Sequence, residues 1–152
     1  MRFHLFAGSL LLAFYSIMAP AAQPSINGLW EAYYVDTQDR SANVEITEQA
    51  DGSLKGVIKE NFPRPGLKKE TVCSACPGNK ANQPFVGMTI LWGFKKDPND
   101  PNHWTDGEIL DADKGDTYTA EATLSADGKS LDLRGYVLTP MLGKTATWKR
   151  LK

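Results

Sequence analysis

The sequence predicts an all-β domain built as an eight-stranded antiparallel up-and-down barrel. Three observations carry this expectation. Short runs rich in β-branched and aromatic residues recur along the chain, separated by turn signals. Amphipathic helical periodicity is absent beyond the first two dozen residues. Most connections are hairpin-sized, so consecutive strands pair, and closing such a meander into a barrel removes its two vulnerable edges.

The elements follow in order. The first strand is expected over Gly28–Val35 and the second over Ala42–Glu48. The turn Ala50-Asp51-Gly52-Ser53 leads into the third, Leu54–Glu60. A longer loop covers Asn61–Asn82, and the most apolar strand, the fourth, spans Phe85–Phe94. The Pro/Asn/Asp segment Asp97–Asn102 leads to the fifth strand, Trp104–Leu110. Two tight turns, Asp113-Lys114-Gly115-Asp116 and Ala126-Asp127-Gly128-Lys129, connect the fifth, sixth (Thr117–Leu124) and seventh (Leu131–Leu138) strands. Thr145–Leu151 is the eighth.

Strand periodicity assigns faces. Trp30, Ala32 and Tyr34 share one, as do Val44 and Ile46, and Leu54, Gly56 and Ile58. On the fourth strand the apolar face reads Val86, Met88, Ile90, Trp92 and Phe94. On the sixth it reads Tyr118, Ala120, Ala122 and Leu124, and on the seventh Leu131, Leu133, Gly135 and Val137. These faces converge inward. Their many Gly and Ala residues leave volume that is either a cavity or a tightly closed core, and an eight-stranded barrel stands at that border.

The first residues read as a signal peptide, cleaved after Ala21 or Ala22. Arg2 provides the positive start, Leu5–Ile17 the apolar run, and Ala19-Pro20-Ala21 the small-x-small site. The run is shorter than the ~20 apolar residues of a membrane span. No cysteine follows the cleavage region, which argues against a lipoprotein; an uncleaved N-terminal anchor is the alternative. Residues 23–152 then form a single domain of about 130 residues. The expected location is extracytoplasmic, periplasmic or secreted, with no transmembrane span in the mature chain. Seventeen basic and eighteen acidic residues nearly cancel, and no Lys/Arg cluster reads as a nucleic-acid footprint.

Gly28-Leu29-Trp30 opens the first strand and Trp148-Lys149-Arg150 closes the last. In a small barrel these ends meet, and a basic side chain covers an indole face. Gly28, Trp30, Trp148 and Arg150 are therefore assigned to a closed base. The pattern resembles the signature of lipocalin and calycin barrels, in which a C-terminal Arg packs across the Trp. Cys73-Ser74-Ala75-Cys76-Pro77-Gly78, Gln83–Met88, Trp104–Asp111, Tyr118, Arg134–Val137 and Leu142–Arg150 follow in order. Together they resemble the bacterial domain-of-unknown-function family 2147. That resemblance implies a lipocalin-like fold, an extracytoplasmic location and a small-ligand cavity. It brings no catalytic residues and leaves the ligand class open.

Cys73 and Cys76 admit three readings. An exported chain with two cysteines favours a structural disulfide, worth only roughly 2 kcal/mol across so short a loop. A redox pair wants its first Cys at a helix N-terminus, and Pro77 disfavours a helix through Cys76. Zinc wants four ligands, and His103 is the only histidine of the mature chain. The Asp97–Asn102 segment reads as a turn rather than a calcium loop. Asp106 and Glu108 share an outward face, which favours solvation over glycosidase chemistry. No metal site, cofactor or catalytic set is expected: a G-x-S-x-G elbow, a P-loop and a His/Ser/Asp set are all missing.

The expected function is non-enzymatic binding of a small hydrophobic or amphipathic molecule. Tyr34, Met88, Ile90, Trp92 and Tyr118 are the candidate cavity wall, and the loop Asn61–Lys80 the candidate lid. Two other readings are an envelope protein-interaction module with a filled barrel, presenting Tyr33, Phe62 and Tyr136, and a C-x-x-C thiol-redox protein.

Overall fold

The computed structural model describes residues 22–152. The signal peptide expected over residues 1–22 lies outside the described residues except for Ala22. Among the described residues there are nine strands: β1 (Gly28–Tyr33), β2 (Arg40–Glu48), β3 (Leu54–Asn61), β4 (Thr89–Trp92), β5 (Lys95–Lys96), β6 (His103–Asp111), β7 (Asp116–Leu124), β8 (Ser130–Tyr136) and β9 (Lys144–Arg150). Two 3-10 turns, Gly78–Lys80 and Pro140–Leu142, sit in the loops. The sheet order is β4-β3-β2-β1-β9-β8-β7-β6-β5, all neighbours antiparallel. The pairing of β4 with β6, Leu91 opposite Ile109 and Trp92 opposite Glu108, closes the circle. Because β4 and β5 are two pieces of one stave, the barrel has eight staves, as the sequence predicts.

The fourth expected strand is the one that departs most. Phe85–Met88 is not strand: Gly87 takes a positive φ of 91°, and Val86 is exposed. Opposite β3, Gly56 pairs with Leu91 and Val57 with Thr89, so Ile90 is an extra residue. A bulge of this kind shifts the alternation of everything beyond it. Ile90 and Leu91 are both buried in consequence, and Trp92 turns outward. The expectation that Trp92 shares the inward face of Ile90 is thereby corrected. Gly93, at φ 73°, breaks the stave, and Phe94 returns to the interior. The first and seventh expected strands are shorter than predicted, ending at Tyr33 and Tyr136, so Val137 lies beyond the sheet and is exposed.

The barrel is packed unevenly along its axis. One end collects the termini, the β2–β3 and β7–β8 turns and the Asp97–Asn102 loop. There Trp30, Trp104, Phe94, Leu54 and Leu131 are essentially inaccessible to solvent. Gly107 admits the Phe94 ring: a Cβ at that position would stand 2.2 Å from it. The opposite end collects the β1–β2, β6–β7 and β8–β9 connections and the long segment from β3 to β4. Inward positions there are small: Ala32, Ala42, Gly135 and Ala146. Large side chains fill the first end, and small ones leave the second hollow.

Candidate functional site

The filled end is sealed by one cation. The Arg150 guanidinium lies 4.3 Å from the centroid of the Trp30 ring. It donates to the carbonyls of Gly128 (2.5 Å), Asn27 (2.8 Å) and Ser25 (2.5 Å), joining the β7–β8 turn and the N-terminal approach to the last strand. The Trp30 indole N–H donates to the Ile26 carbonyl at 3.0 Å. Gly28 is required at the seam: its φ is 148°, and a Cβ would stand 2.2 Å from the Lys152 carbonyl oxygen. Such charge-assisted bonds to carbonyls are the stronger class of hydrogen bond. Trp148, expected at the base with these residues, lies one layer further in and forms part of the cavity floor.

Above this plug is a cavity of about 1110 Å³. Trp148, Leu133 and Ala146 form its floor side, and Ala32, Ala42, Ile58, Ile90, Ile109 and Leu110 its walls. Tyr34 and Tyr118 stand nearer the rim. The Tyr34 hydroxyl donates to the Phe62 carbonyl at 2.9 Å, and burial raises its pKa.

A cover formed by residues 61–88 lies over part of the mouth. Two fastenings hold it. Arg64 donates through Nη1 to both carboxylate oxygens of Asp36 (3.0 Å each) and through Nε to Asp113 (2.9 Å), and it lies 4.0 Å from the centre of the Tyr34 ring. It thus ties the cover to the β1–β2 and β6–β7 turns at once. The Arg64 hydrogen bonds hold the Asp36 carboxyl below its ordinary range, and the two carboxylates push the Arg64 pKa up. The second fastening is the Cys73–Cys76 disulfide, with both cysteines buried. Its short loop presses on the β6–β7 turn so closely that a Cβ on Gly115 would meet the Ala75 carbonyl oxygen at 1.9 Å. Cys73 Sγ rests 3.1 Å from the Ala112 carbonyl oxygen, a contact without a donor since both sulfurs are bonded. Phe85, anchored by its backbone N–H on the Thr71 carbonyl, points a buried ring toward the cavity.

Of the five candidate wall residues, the fold brings Tyr34, Ile90 and Tyr118 to the cavity. Met88 is buried but borders a separate groove with Thr89 and Lys80. Trp92 lies on the outer surface, its indole N–H on Glu108 and the Lys80 ammonium 4.6 Å from its ring centre. Tyr33, Phe62 and Tyr136 do not form a free patch: all three are half-buried at the cavity entrance. Phe62 lies under Arg40, and Tyr33 bonds Glu31 and lies under Lys149. Burial and the Glu31 carboxylate push the Tyr33 hydroxyl up to about 12. Asp106 pairs with Lys95 on the outer face. In the Asp97–Asn102 turn, Asp97 and Asp100 accept from the Asn99 and Asn102 backbone N–H groups, and Asp97 pairs with His103. The residue that sequence reasoning passed over is Arg64. Its partners lie 28 and 49 positions away, and no local pattern marks it.

A meander barrel with a Trp–Arg plug at one end and an apolar hollow at the other is a lipocalin-like cup. The chain belongs to the family of uncharacterized proteins conserved in bacteria known as DUF2147, whose model matches residues 28–150. Among solved structures it is similar to a protein of the human pathogen Helicobacter pylori described as belonging to the lipocalin family. That likeness has a TM-score of 0.69 at 20% identity and covers 85% of this chain and 84% of that one. No curated protein matches the chain.

Proposed function

We propose that this protein is exported and, without catalysing a reaction, holds a small hydrophobic or amphipathic molecule in its barrel. The observation that carries the reading is the cavity of about 1110 Å³ above a plugged base, apolar in its depth and polar at its mouth. Known ligand pockets span roughly 300–1,000 Å³, so this volume accommodates a lipid- or metabolite-sized molecule. Burial of apolar ligand surface supplies the affinity, at about 25 cal/mol per Å² before the costs of association. The tyrosines at the rim orient a polar end. Export rests on the N-terminal pattern alone.

Two measurements test this. Native mass spectrometry of protein recovered from its own cell envelope should show an adduct that denaturation releases, and its N-terminus should begin near Gln23. In solution, 8-anilinonaphthalene-1-sulfonate fluorescence should rise on the wild type. It should fall back in Ala42→Phe, which fills the cavity from β2, with the melting temperature retained. Equal fluorescence in both proteins would overturn the cavity as the binding site.

A further inference from the structure

The β8–β9 connection is unusual for an exposed loop. Val137, Leu138, Met141 and Leu142 are 76%, 81%, 89% and 77% exposed, the most solvent-accessible large apolar side chains among the described residues. They are not loosely displayed. Arg134, on the outer face of β8, donates to the Pro140 carbonyl through Nε (2.5 Å), to the Met141 carbonyl through Nη2 (3.3 Å) and to Thr145 Oγ1 (3.0 Å). Pro140 opens the 3-10 turn that carries the tip. A charged group is thus spent on holding four apolar side chains in water, where each is unfavourable.

The tip also has a position. Val137 and Leu142 border the cavity entrance, and so do Val35, from the β1–β2 turn, and Leu67, from the cover. Val35 is 45% and Leu67 65% exposed, so the same end of the barrel carries further protruding apolar surface. Three exposed lysines stand beside it: Lys68 and Lys69 follow Leu67, and Lys144 follows the tip. No Asp or Glu occurs from Val137 to the last residue; at the rim Asp36 and Asp113 are paired with Arg64 and Asp111 with Lys114, while Asp39 and Asp116 lie on the adjoining β1–β2 and β6–β7 connections. Glu70 is the acidic residue that adjoins the lysines.

We propose that the cavity rim, led by the Val137–Leu142 tip, is a docking surface for lipid bilayers that contain anionic lipid. Area decides against a second protein. A narrow tip supplies a few hundred Å² of apolar surface, whereas a stable protein partner needs about 800 Å² per side in a complementary face. A bilayer has no shape to match, admits isolated apolar tips, and attracts flanking lysines through its surface charge. Docked this way, the mouth faces the lipid phase. The surface is defined by the rim alone and does not require that the cavity carry cargo.

The test places a nitrobenzoxadiazole fluorophore at Thr139→Cys, an exposed site within the tip, in the full chain as the cell processes it. A local probe reports the tip and is insensitive to any insertion by the N-terminal segment. Vesicles of phosphatidylcholine alone are compared with an equal mixture of phosphatidylcholine and phosphatidylglycerol. Docking predicts a blue-shifted, brighter emission on the mixed vesicles and a much smaller change on phosphatidylcholine. Leu138→Ser with Met141→Ser should weaken the response at least roughly tenfold. Lys144→Glu should weaken it on the mixed vesicles alone. Both variants alter exposed side chains, and an unchanged melting temperature confirms the barrel. Absence of a shift on either vesicle, or a shift untouched by all of these substitutions, overturns the proposal. So does a shift that follows protein concentration without vesicles, which would assign the tip to a second copy of the chain. Anilinonaphthalene uptake by the same variants without vesicles reads the cavity separately.

Discussion

At the residue scale, two arginines do unlike work at opposite ends of the barrel. Arg150 caps three carbonyls from two segments and covers Trp30, so its loss opens the base. Arg150→Met, which keeps the stem and removes the donors, should cost about 2 kcal/mol in urea unfolding, since carbonyls left at the plug lose charged partners. A variant as stable as the wild type would remove the plug from the account. Arg64 fastens the cover, and its linkage to pH has a definite sign. Its hydrogen bond depresses the Asp36 pKa below 3.8 in the folded protein. The Asp36 arm of the fastening is therefore complete above that ordinary value and is lost as pH falls through the depressed one. Hydrogen exchange of residues 61–70, corrected for intrinsic rate, should lose protection in that acid window. Arg64→Met should show the loss at every pH, and equal protection in the variant would refute the latch. Sequence reading reached Arg150 because it closes a motif with Trp30. It passed over Arg64 because ion pairs made only by folding leave no spacing to read.

At the element scale, the broken β4–β5 stave shows what alternation can and cannot tell. Most staves carry their apolar residues on the face that period-2 counting assigns, but β6 slips between Trp104 and Gly107, so Trp104, Gly107 and Leu110 are the buried positions there. The β4–β5 stave carries one extra residue, Ile90, and from there the count is out of phase. That count places Trp92 inside, and it lies outside. A bulge has no residue signature in an apolar run, because Thr89-Ile90-Leu91-Trp92 suits a strand in either phase. The close approach of Phe94 to Gly107 is the other device of this stave. Gly107→Ala should destabilise by about 1–3 kcal/mol through overpacking, and Phe94→Leu in the same chain should restore part of it. Additive losses in a double-mutant cycle would contradict the contact. The cover is an element in its own right. Replacing Cys73 and Cys76 together by Ala should cost about 2 kcal/mol, the loop-closure value, and leave the barrel's β signal by circular dichroism unchanged. A far larger loss would mean that the disulfide nucleates the barrel itself.

At the scale of the whole molecule, the cup results from how side-chain size is distributed along the axis. Trp30, Trp104 and Phe94 crowd one end, while Ala32, Ala42, Gly135 and Ala146 leave the other open. Filling the hollow is expected to add packing, so Ala42→Phe should melt no lower than the wild type while excluding the fluorescent probe. A lower melting temperature with retained binding would mean that the side chain points elsewhere. The apolar, lysine-flanked rim lies at this same open end, so binding and membrane docking would share one face.

The sequence by itself determined the barrel, its eight staves and the closed base. Those depend on period-2 patterning, turn residues and a terminal motif, all of which are local or sit at the chain ends. It also placed many small residues on the inward faces without deciding between a cavity and a compact core. The tertiary structure decided that question, along with the side of Trp92, the reach of Arg64 and the display of the Val137–Leu142 tip. Each of these depends on register, a bulge or a charge pair formed between distant segments, and such contacts exist only once the sheet has closed.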